Sequence, residues 1–227
     1  MAPLLRLKQA DLQGAVRGVA FQLCEGLGSV TRRSAQQQIG VLSATDRKVL
    51  RANGIRIGAE NVFMPALLKP KVLRLRSLLW QANNQVSGCQ LPAPGLVSAP
   101  RDQQTANEYY SAIGYRVIGD RIVRIDIVDR VALTLIRLAR KGPFQMPSEI
   151  SALLGMGNEQ ANEVAVALGF KKTGEEGLYS RVRRGQGPKP KQKHAKQRTR
   201  TNKKTRGSKT ADPNSPFAQL ADLRLPS

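Results

Sequence analysis

The sequence predicts a mainly α-helical chain with minor β structure and a disordered basic tail. Three observations predict it. Apolar residues recur at three- and four-residue steps, which is the helical period. Short alternating segments beside glycines predict small hairpins, and the C-terminal part is too basic to bury a core. We expect a helical region with a small β-hairpin (1–86), a linker or long loop (87–104), a second folded module (105–184), the disordered tail (185–211) and a short amphipathic segment (212–227).

The N-terminal region is expected to be helical. Apolar residues at helical spacing predict one long helix over 8–27. Two short helices are expected over 34–42 and 46–52. The second has two hydroxyl side chains available as its N-cap, Ser43 or Thr45.

A hairpin and a basic helix are expected next. Residues 54–58 alternate apolar and polar side chains between glycines, and with 62–63 they predict a hairpin. The helix predicted over 70–84 is basic in its first half, and its Trp80 is expected in the core, with base stacking as the alternative. The stretch 85–104 is rich in Gly, Pro and Ser and predicts a linker or loop. The apolar residues that recur along this helix are Val72, Leu75, Leu78 and Leu79.

The second module is predicted to begin with a helix and a hairpin. A helix is expected over 105–113, followed by two strands that flank a turn at Gly119 and Asp120. A further helix is expected to begin at Asp126 or Asp129 and to reach Arg140. The helical dipole alone accounts for these two acids at a first turn.

A helix-turn-helix is predicted after Gly142-Pro143. A helix begins near Pro147, a tight turn follows at 155–157, and Asn158 is expected to cap a second helix that ends at Gly169. A hairpin with its turn at 173–177 comes next. The order helix, helix, turn, helix, hairpin predicts a winged-helix-like module.

The hairpin, which is the wing of such a module, and the tail are predicted to bind nucleic acid, rather than the second helix. That helix carries Glu159 and Glu163 and no Lys or Arg, which disfavours deep contact with phosphates. The hairpin carries Lys171 and Lys172 on one arm, and Arg181 follows on the other. The alternative is a module that makes only protein contacts.

The basic tail gives the strongest functional signal. Residues 181–209 hold 13 of the positive charges and no acid, in a chain of formal net charge +21. Such a segment stays extended unless a polyanion neutralises it, and nucleic acid is the expected polyanion; the alternative is a solubilising tail. The predicted binding residues beyond Arg181 are Arg183, Arg184, Lys189, Lys191, Lys193, Lys196, Arg198, Arg200, Lys203, Lys204 and Arg206.

A short docking segment is predicted after the tail. Ser215 and Pro216 favour a helix start, and apolar residues follow at three-residue steps: Phe217, Leu220 and Leu223. Such a segment either folds on a protein partner or packs on its own core.

The sequence carries no catalytic signature. It has no phosphate-binding loop, no acidic box for Mg²⁺ and no GxSxG motif, and its one histidine, His194, lies in the tail. Cys24 and Cys89 are expected to be free thiols, with a lone disulfide as the alternative, and neither is expected to bind a metal. We therefore expect no enzyme activity, cofactor, metal or small-molecule substrate.

The apolar runs are too short to cross a membrane. The N-terminus lacks the apolar core and cleavage site of a secretory signal, and we interpret it as a structural helix rather than a transit peptide. The expected location is the bacterial cytoplasm, or the mitochondrial matrix if the protein is organellar.

Several short sequence segments resemble those of a known family. They are similar to the C-terminal part of bacterial superfamily-2 ATP-dependent helicases related to the mitochondrial degradosome RNA helicase, from about Asp11 onward. The resemblance implies an accessory region of a nucleic-acid unwinding enzyme. The motor domains of that family are absent from the sequence, so no ATPase residue is carried over. The similar phrases are 54–58, 62–70, 78–80, 91–95, 114–119, 123–126, 168–170 and 212–218.

The expected function is therefore non-catalytic binding of nucleic acid, with RNA favoured over DNA. Two alternatives stay open. One is a structural subunit of a ribonucleoprotein particle such as a ribosome, and the other is an accessory subunit of a separate helicase motor.

Overall fold

The computed structural model describes residues 1–173 and 177–182. Over these residues the chain is built from helices and small antiparallel sheets, as the sequence predicts. A 3₁₀ helix covers Pro65–Leu68. The helices are α1 (Ala2–Gln9), α2 (Gly14–Glu25), α3 (Gln36–Val41), α4 (Ala44–Ala52), α5 (Pro70–Asn84), α6 (Asn107–Ala112), α7 (Ile125–Ala139), α8 (Ser148–Leu154) and α9 (Asn158–Ala167). The strands are β1 (Ser29–Thr31), β2 (Arg56–Ile57), β3 (Asn61–Phe63), β4 (Ser98–Pro100), β5 (Tyr115–Ile118), β6 (Arg121–Arg124), β7 (Phe170–Thr173) and β8 (Leu178–Arg181).

The single helix predicted over 8–27 is wrong. The chain forms α1 and α2 instead, and α2 begins at Gly14, whose φ of 54° is one that glycine adopts without steric penalty. Both helices bury apolar side chains in one core, Leu4 and Leu7 from α1 and Leu23 from α2. Because two separate helices can pack against each other, more apolar surface is buried than one straight helix allows.

The first sheet has the order β1-β3-β2. The predicted hairpin of β2 and β3 is confirmed, and β1, which the sequence did not reveal, adds to its other side with Val30 opposite Val62. Ser43 is confirmed as the N-cap of α4. Its hydroxyl accepts from the Asp46 amide at 3.1 Å, while the Asp46 carboxylate accepts from the Ser43 amide at 2.9 Å.

The apolar residues at helical spacing in α5 do not mark its buried face. Leu78 is 59% exposed and Leu75 and Leu79 are about 40% exposed, whereas Leu73, Arg76 and Ser77 are buried. Apolar residues lie on both sides of this helix, so their spacing alone does not decide which side faces the core. The Ser77 hydroxyl lies 2.8 Å from that of the buried Tyr109, and the two share a hydrogen bond.

Arg76 is fully buried, yet its guanidinium is satisfied. Nε donates to Ala112 O at 2.7 Å, Nη1 to Leu67 O at 3.3 Å and Nη2 to Ser29 Oγ at 2.6 Å. The two carbonyls lie at the C-terminal ends of α6 and of the 3₁₀ helix, where backbone oxygens lack helical partners. Burial lowers the pKa of Arg76 to about 10, so the group stays charged near neutral pH.

The second sheet has the order β4-β6-β5. Its β5–β6 hairpin, with the turn at Gly119, is confirmed. The range 87–104, expected as a linker or long loop, contributes β4 to this sheet. One core cluster joins Phe63 and Leu73 from the N-terminal side of that range to Tyr109 and Ile122 from the other side.

The last elements follow the predicted order. After α7, Phe144 forms an antiparallel bridge with Tyr179, and α8, a tight turn at Gly155, α9 and the β7–β8 hairpin follow. Asn158 is not the cap of α9, because Gly157 holds that position and Asn158 Oδ1 accepts from Ser151 Oγ at 2.6 Å. The apolar side of α9 and the residue that follows it are buried: Ala161, Val164, Ala165 and Leu168.

Candidate functional site

The β7–β8 hairpin holds the predicted binding residues that the structure describes. Lys171, Lys172 and Arg181 are all exposed. Arg181 pairs with Phe170, and Lys172 pairs with Tyr179. Because side chains alternate along a strand, Lys171 and Lys172 lie on opposite faces of the hairpin rather than on one surface.

The remaining predicted residues lie outside the part of the chain that the structure describes. They are the nucleic-acid contacts Arg183, Arg184, Lys189, Lys191, Lys193, Lys196, Arg198, Arg200, Lys203, Lys204 and Arg206, and the docking residues Phe217, Leu220 and Leu223.

Arg181 lines a cleft of about 880 Å³, here called the first cleft. Three further arginines, Arg32, Arg33 and Arg116, line it from other parts of the chain. The sequence interpretation missed these three. The adjacent pair Arg32-Arg33 was the available signal, but only folding brings it opposite β5 and β8. The other lining elements are β1, the start of α3, the β2–β3 loop and α6.

Two of these arginines are held by the protein itself. Arg32 Nη1 donates to Gly58 O at 2.6 Å. Arg116 Nη1 donates to Glu60 Oε2 at 2.9 Å, and this pair is about a quarter to a third exposed. Glu60 is the one carboxylate among the described residues that line the first cleft. Arg33, like Arg181, is exposed to solvent.

The β2–β3 loop, which forms one wall of the first cleft, is fixed by Asp129 of α7. The carboxylate accepts from the Glu60 amide at 2.6 Å, from the Asn61 amide at 3.3 Å and from Asn61 Nδ2 at 3.2 Å. A β-carbon at Gly58 would overlap this carboxylate, so the close approach requires glycine. Burial raises the pKa of Asp129, although the hydrogen bonds oppose the rise.

Asp126 and Asp129 therefore have separate partners. Asp126 accepts twice from Arg124, at 2.7 and 3.0 Å, and Asp129 holds the loop. The helix dipole, which accounts for both acids in the sequence interpretation, is only part of their role. Across residues 1–173 and 177–182, no cluster of three or more His, Cys, Asp or Glu has the arrangement of a metal site.

Neutral polar side chains complete the first cleft. Gln36 of α3 and Asn107 of α6 are exposed at its edge, and Ser111 lies one turn further along α6. Amides and hydroxyls both donate and accept hydrogen bonds. The cleft thus combines cations with neutral hydrogen-bonding groups.

A second cleft, of about 620 Å³, lies between the first half of α5 and the loop 91–95. Lys71, Arg74 and Arg124 line it, and no Asp or Glu is among its described lining residues. Tyr115 lines both clefts. Its ring is buried and its hydroxyl donates to Leu96 O at 2.9 Å.

The surface of α9 does not add to this basic surface. Glu159 and Glu163 are exposed, and no Lys or Arg lies on the helix. Glu163 also packs against the β5–β6 turn, since its Oε2 lies 2.9 Å from the point that a β-carbon on Gly119 would occupy. Part of the exposed side of α9 is therefore already occupied by protein.

None of the helices in the described part of the chain is both long enough and apolar enough to cross a membrane. Comparison of the chain with protein-family models, with curated proteins and with solved structures gives no match.

Proposed function

We propose that this chain is a non-catalytic nucleic-acid-binding protein, with RNA favoured over DNA as its ligand. The observation that carries the proposal is the convergence of Arg32, Arg33, Arg116 and Arg181 on the first cleft. Guanidinium binds phosphate, as it binds carboxylate, through paired hydrogen bonds. Glu60 neutralises one of the four arginines, which leaves the cleft positively charged.

The tail extends the same argument. Arg181 is at once a cleft residue and the first of the 13 cations of residues 181–209. The first cleft and the tail therefore carry charge of the same sign, which favours the same polyanion. Each phosphate contact releases condensed counterions, which makes binding favourable at low salt and weaker as salt rises.

We include a winged-helix-like module in the proposal. The order of α7, the Phe144–Tyr179 bridge, α8, the turn, α9 and the β7–β8 hairpin supports it. In this module the second helix usually enters a groove of the duplex. The acids on α9, and the packing of Glu163 against Gly119, favour binding by the hairpin and first cleft instead.

The preference for RNA and the relation to a helicase come from the resemblance of the sequence to the C-terminal part of superfamily-2 helicases. On this proposal the chain is an accessory nucleic-acid binder, located where RNA is accessible, in the bacterial cytoplasm or the mitochondrial matrix. Stimulation of a separate helicase's ATPase by the added chain would support a role beside a motor.

A structural subunit of a ribonucleoprotein particle is the second candidate. The exposed Leu75, Leu78 and Leu79 on α5 favour it, because clustered apolar side chains on a surface are typical of protein contacts. Co-sedimentation of the chain with ribosomal subunits after a high-salt wash would support this candidate. A free nucleic-acid binder would wash off.

The test of the proposed function is binding of the full chain to labelled RNA and DNA by fluorescence anisotropy over a range of salt. If about 8 charges engage duplex phosphates, the slope of log K against log salt is about −7. Arg33→Ala combined with Arg181→Ala should make that slope shallower. The matched control is Arg51→Ala with Arg137→Ala, two exposed arginines outside both clefts. A shallow slope for the wild type, or equal effects of the two double variants, would contradict the proposal.

A further inference from the structure

The two clefts meet at one residue. Tyr115 lines both, and it lies at the start of β5, which is one of the two edge strands of the second sheet. Arg116, the next residue of β5, lines the first cleft. Arg124, which pairs with Tyr115 across the sheet, lines the second. The two clefts therefore adjoin the same buried residue at the start of an edge strand.

The second cleft has the charge that a phosphodiester backbone requires. Lys71 and Arg74 are exposed and lie one turn apart on α5, so both side chains project on the same side of the helix. Arg124 is partly neutralised by Asp126. The sequence contains no Asp or Glu from 61 to 101, so the stretch that supplies α5 and the loop 91–95 carries only positive charge.

We propose that one single-stranded nucleic-acid chain occupies both clefts and passes beside Tyr115 between them. This inference rests on the proposed function and specifies its ligand. A duplex is stiff over about 150 base pairs, so bending it into two adjoining clefts costs elastic energy that a single strand does not require. A single strand is flexible enough to follow both.

In this arrangement the affinity comes from contacts between the cations of the clefts and the phosphodiester backbone of the strand. Aromatic stacking gives single-strand binders much of their affinity. Tyr115, the aromatic residue common to the two clefts, has its ring buried and its hydroxyl bonded to Leu96. The ring therefore offers no face to a base, and we expect affinity to depend on salt and strand length far more than on base composition.

The experiment uses the full chain and a labelled oligouridylate of about 16 nucleotides, the upper end of the usual single-strand site sizes. Lys71→Ala with Arg74→Ala removes the exposed cations of the second cleft. The matched control is Lys48→Ala with Arg51→Ala, the same residue types three apart on the exposed side of α4. Circular dichroism of each variant checks that the fold is retained.

The second-cleft variant should make the salt slope shallower by about 1.4, about 0.7 for each lost contact with a single strand. The variant that combines all four substitutions, with Arg33→Ala and Arg181→Ala added, should make the slope shallower by about 2.8, because one strand fills both clefts. The control should match the wild type. On a blunt duplex of the same length, the second-cleft variant should also match its control.

Two results would overturn the inference. If Lys71→Ala with Arg74→Ala equals its control on the oligouridylate while the first-cleft variant still weakens binding, the second cleft is not part of the site, and the proposed function stands. If the second-cleft variant changes the slope equally on the duplex, the ligand is not restricted to single strands. If the proposed function itself is wrong, the result is distinguishable, because salt would then have little effect on the affinity of the wild type or of any variant.

Discussion

The Asp129 carboxylate in α7 accepts a hydrogen bond from the Asn61 side-chain amide on β3, 3.2 Å away and 68 residues earlier in the chain. Together with two backbone amides of the same loop, this contact fixes one wall of the first cleft. A residue that does not itself line the cleft thus fixes part of its wall.

Asp129→Ala is expected to destabilise the protein by about 3 kcal/mol, because a buried donor without an acceptor costs roughly 1–3 kcal/mol and three donors lose theirs. Urea denaturation measures the change. Asp11→Ala, at an exposed position, should stay within about 0.5 kcal/mol of the wild type. A similar small change at position 129 would contradict the role of Asp129 in holding the loop.

The pH dependence of stability should also report on Asp129. Burial raises the pKa of its carboxyl, so the folded state keeps this proton at pH values where the unfolded chain has released it. The corresponding stabilisation is complete below the ordinary carboxyl pKa and is lost as pH rises through the raised one. The side chain of the Asp129→Asn variant stays neutral at every pH, so this variant does not lose that stabilisation as pH rises.

The free energy of unfolding of the wild type minus that of Asp129→Asn should therefore fall as pH rises above about 4. Urea denaturation of both proteins over a pH series gives the difference. A difference that is constant, or that grows with pH, would show that the hydrogen bonds outweigh burial at this carboxyl.

Arg76→Lys should be destabilising although it conserves the charge. A lysine ammonium has no planar fork and does not reach Ala112 O, Leu67 O and Ser29 Oγ together, so we expect a loss of about 1–3 kcal/mol. Thermal or urea unfolding measures it. Arg74→Lys, on the exposed side of the same helix, is the matched control and should change stability by less than about 0.5 kcal/mol.

The orientation of α5 can be tested with two leucines. Leu73→Ala should cost about 2–5 kcal/mol because it opens a cavity in the core, whereas Leu78→Ala should have little effect on the stability of the isolated chain. Both are measured by urea denaturation. Comparable losses at the two positions would mean that the helix is rotated relative to the described structure.

Glu60→Gln should strengthen nucleic-acid binding. The substitution releases Arg116 from its ion pair, so the slope of log K against log salt should become steeper by about 0.7 on a single strand. Fluorescence anisotropy measures the slope. Glu149→Gln, at an exposed position on α8 outside both clefts, removes the same charge. If it has the same effect, overall charge and not Arg116 is responsible.

The sequence predicted elements whose signals are local. Ser43 has Asp46 three residues later and forms the capping box, and Gly119 adopts a positive φ at the turn of its hairpin. A side chain's own neighbours decide these features, so they are visible in the order of residues.

Features that depend on distant partners were not predictable. Arg76 is buried because acceptors 9, 36 and 47 residues away converge on it, and nothing in the helical pattern of α5 indicates them. The arginines of the first cleft likewise come from separate elements. Of the predicted site only Lys171, Lys172 and Arg181 lie in the described part of the chain, and Arg181 alone lines the first cleft.

The core that joins Phe63 and Leu73 to Tyr109 and Ile122 has a consequence for proteolysis. Much of 82–96 is exposed, so a protease would cut there readily. Because both pieces contribute to one core, they should stay bound to each other after the cut. The nicked protein should then migrate as two bands on a denaturing gel and elute as one particle from a sizing column.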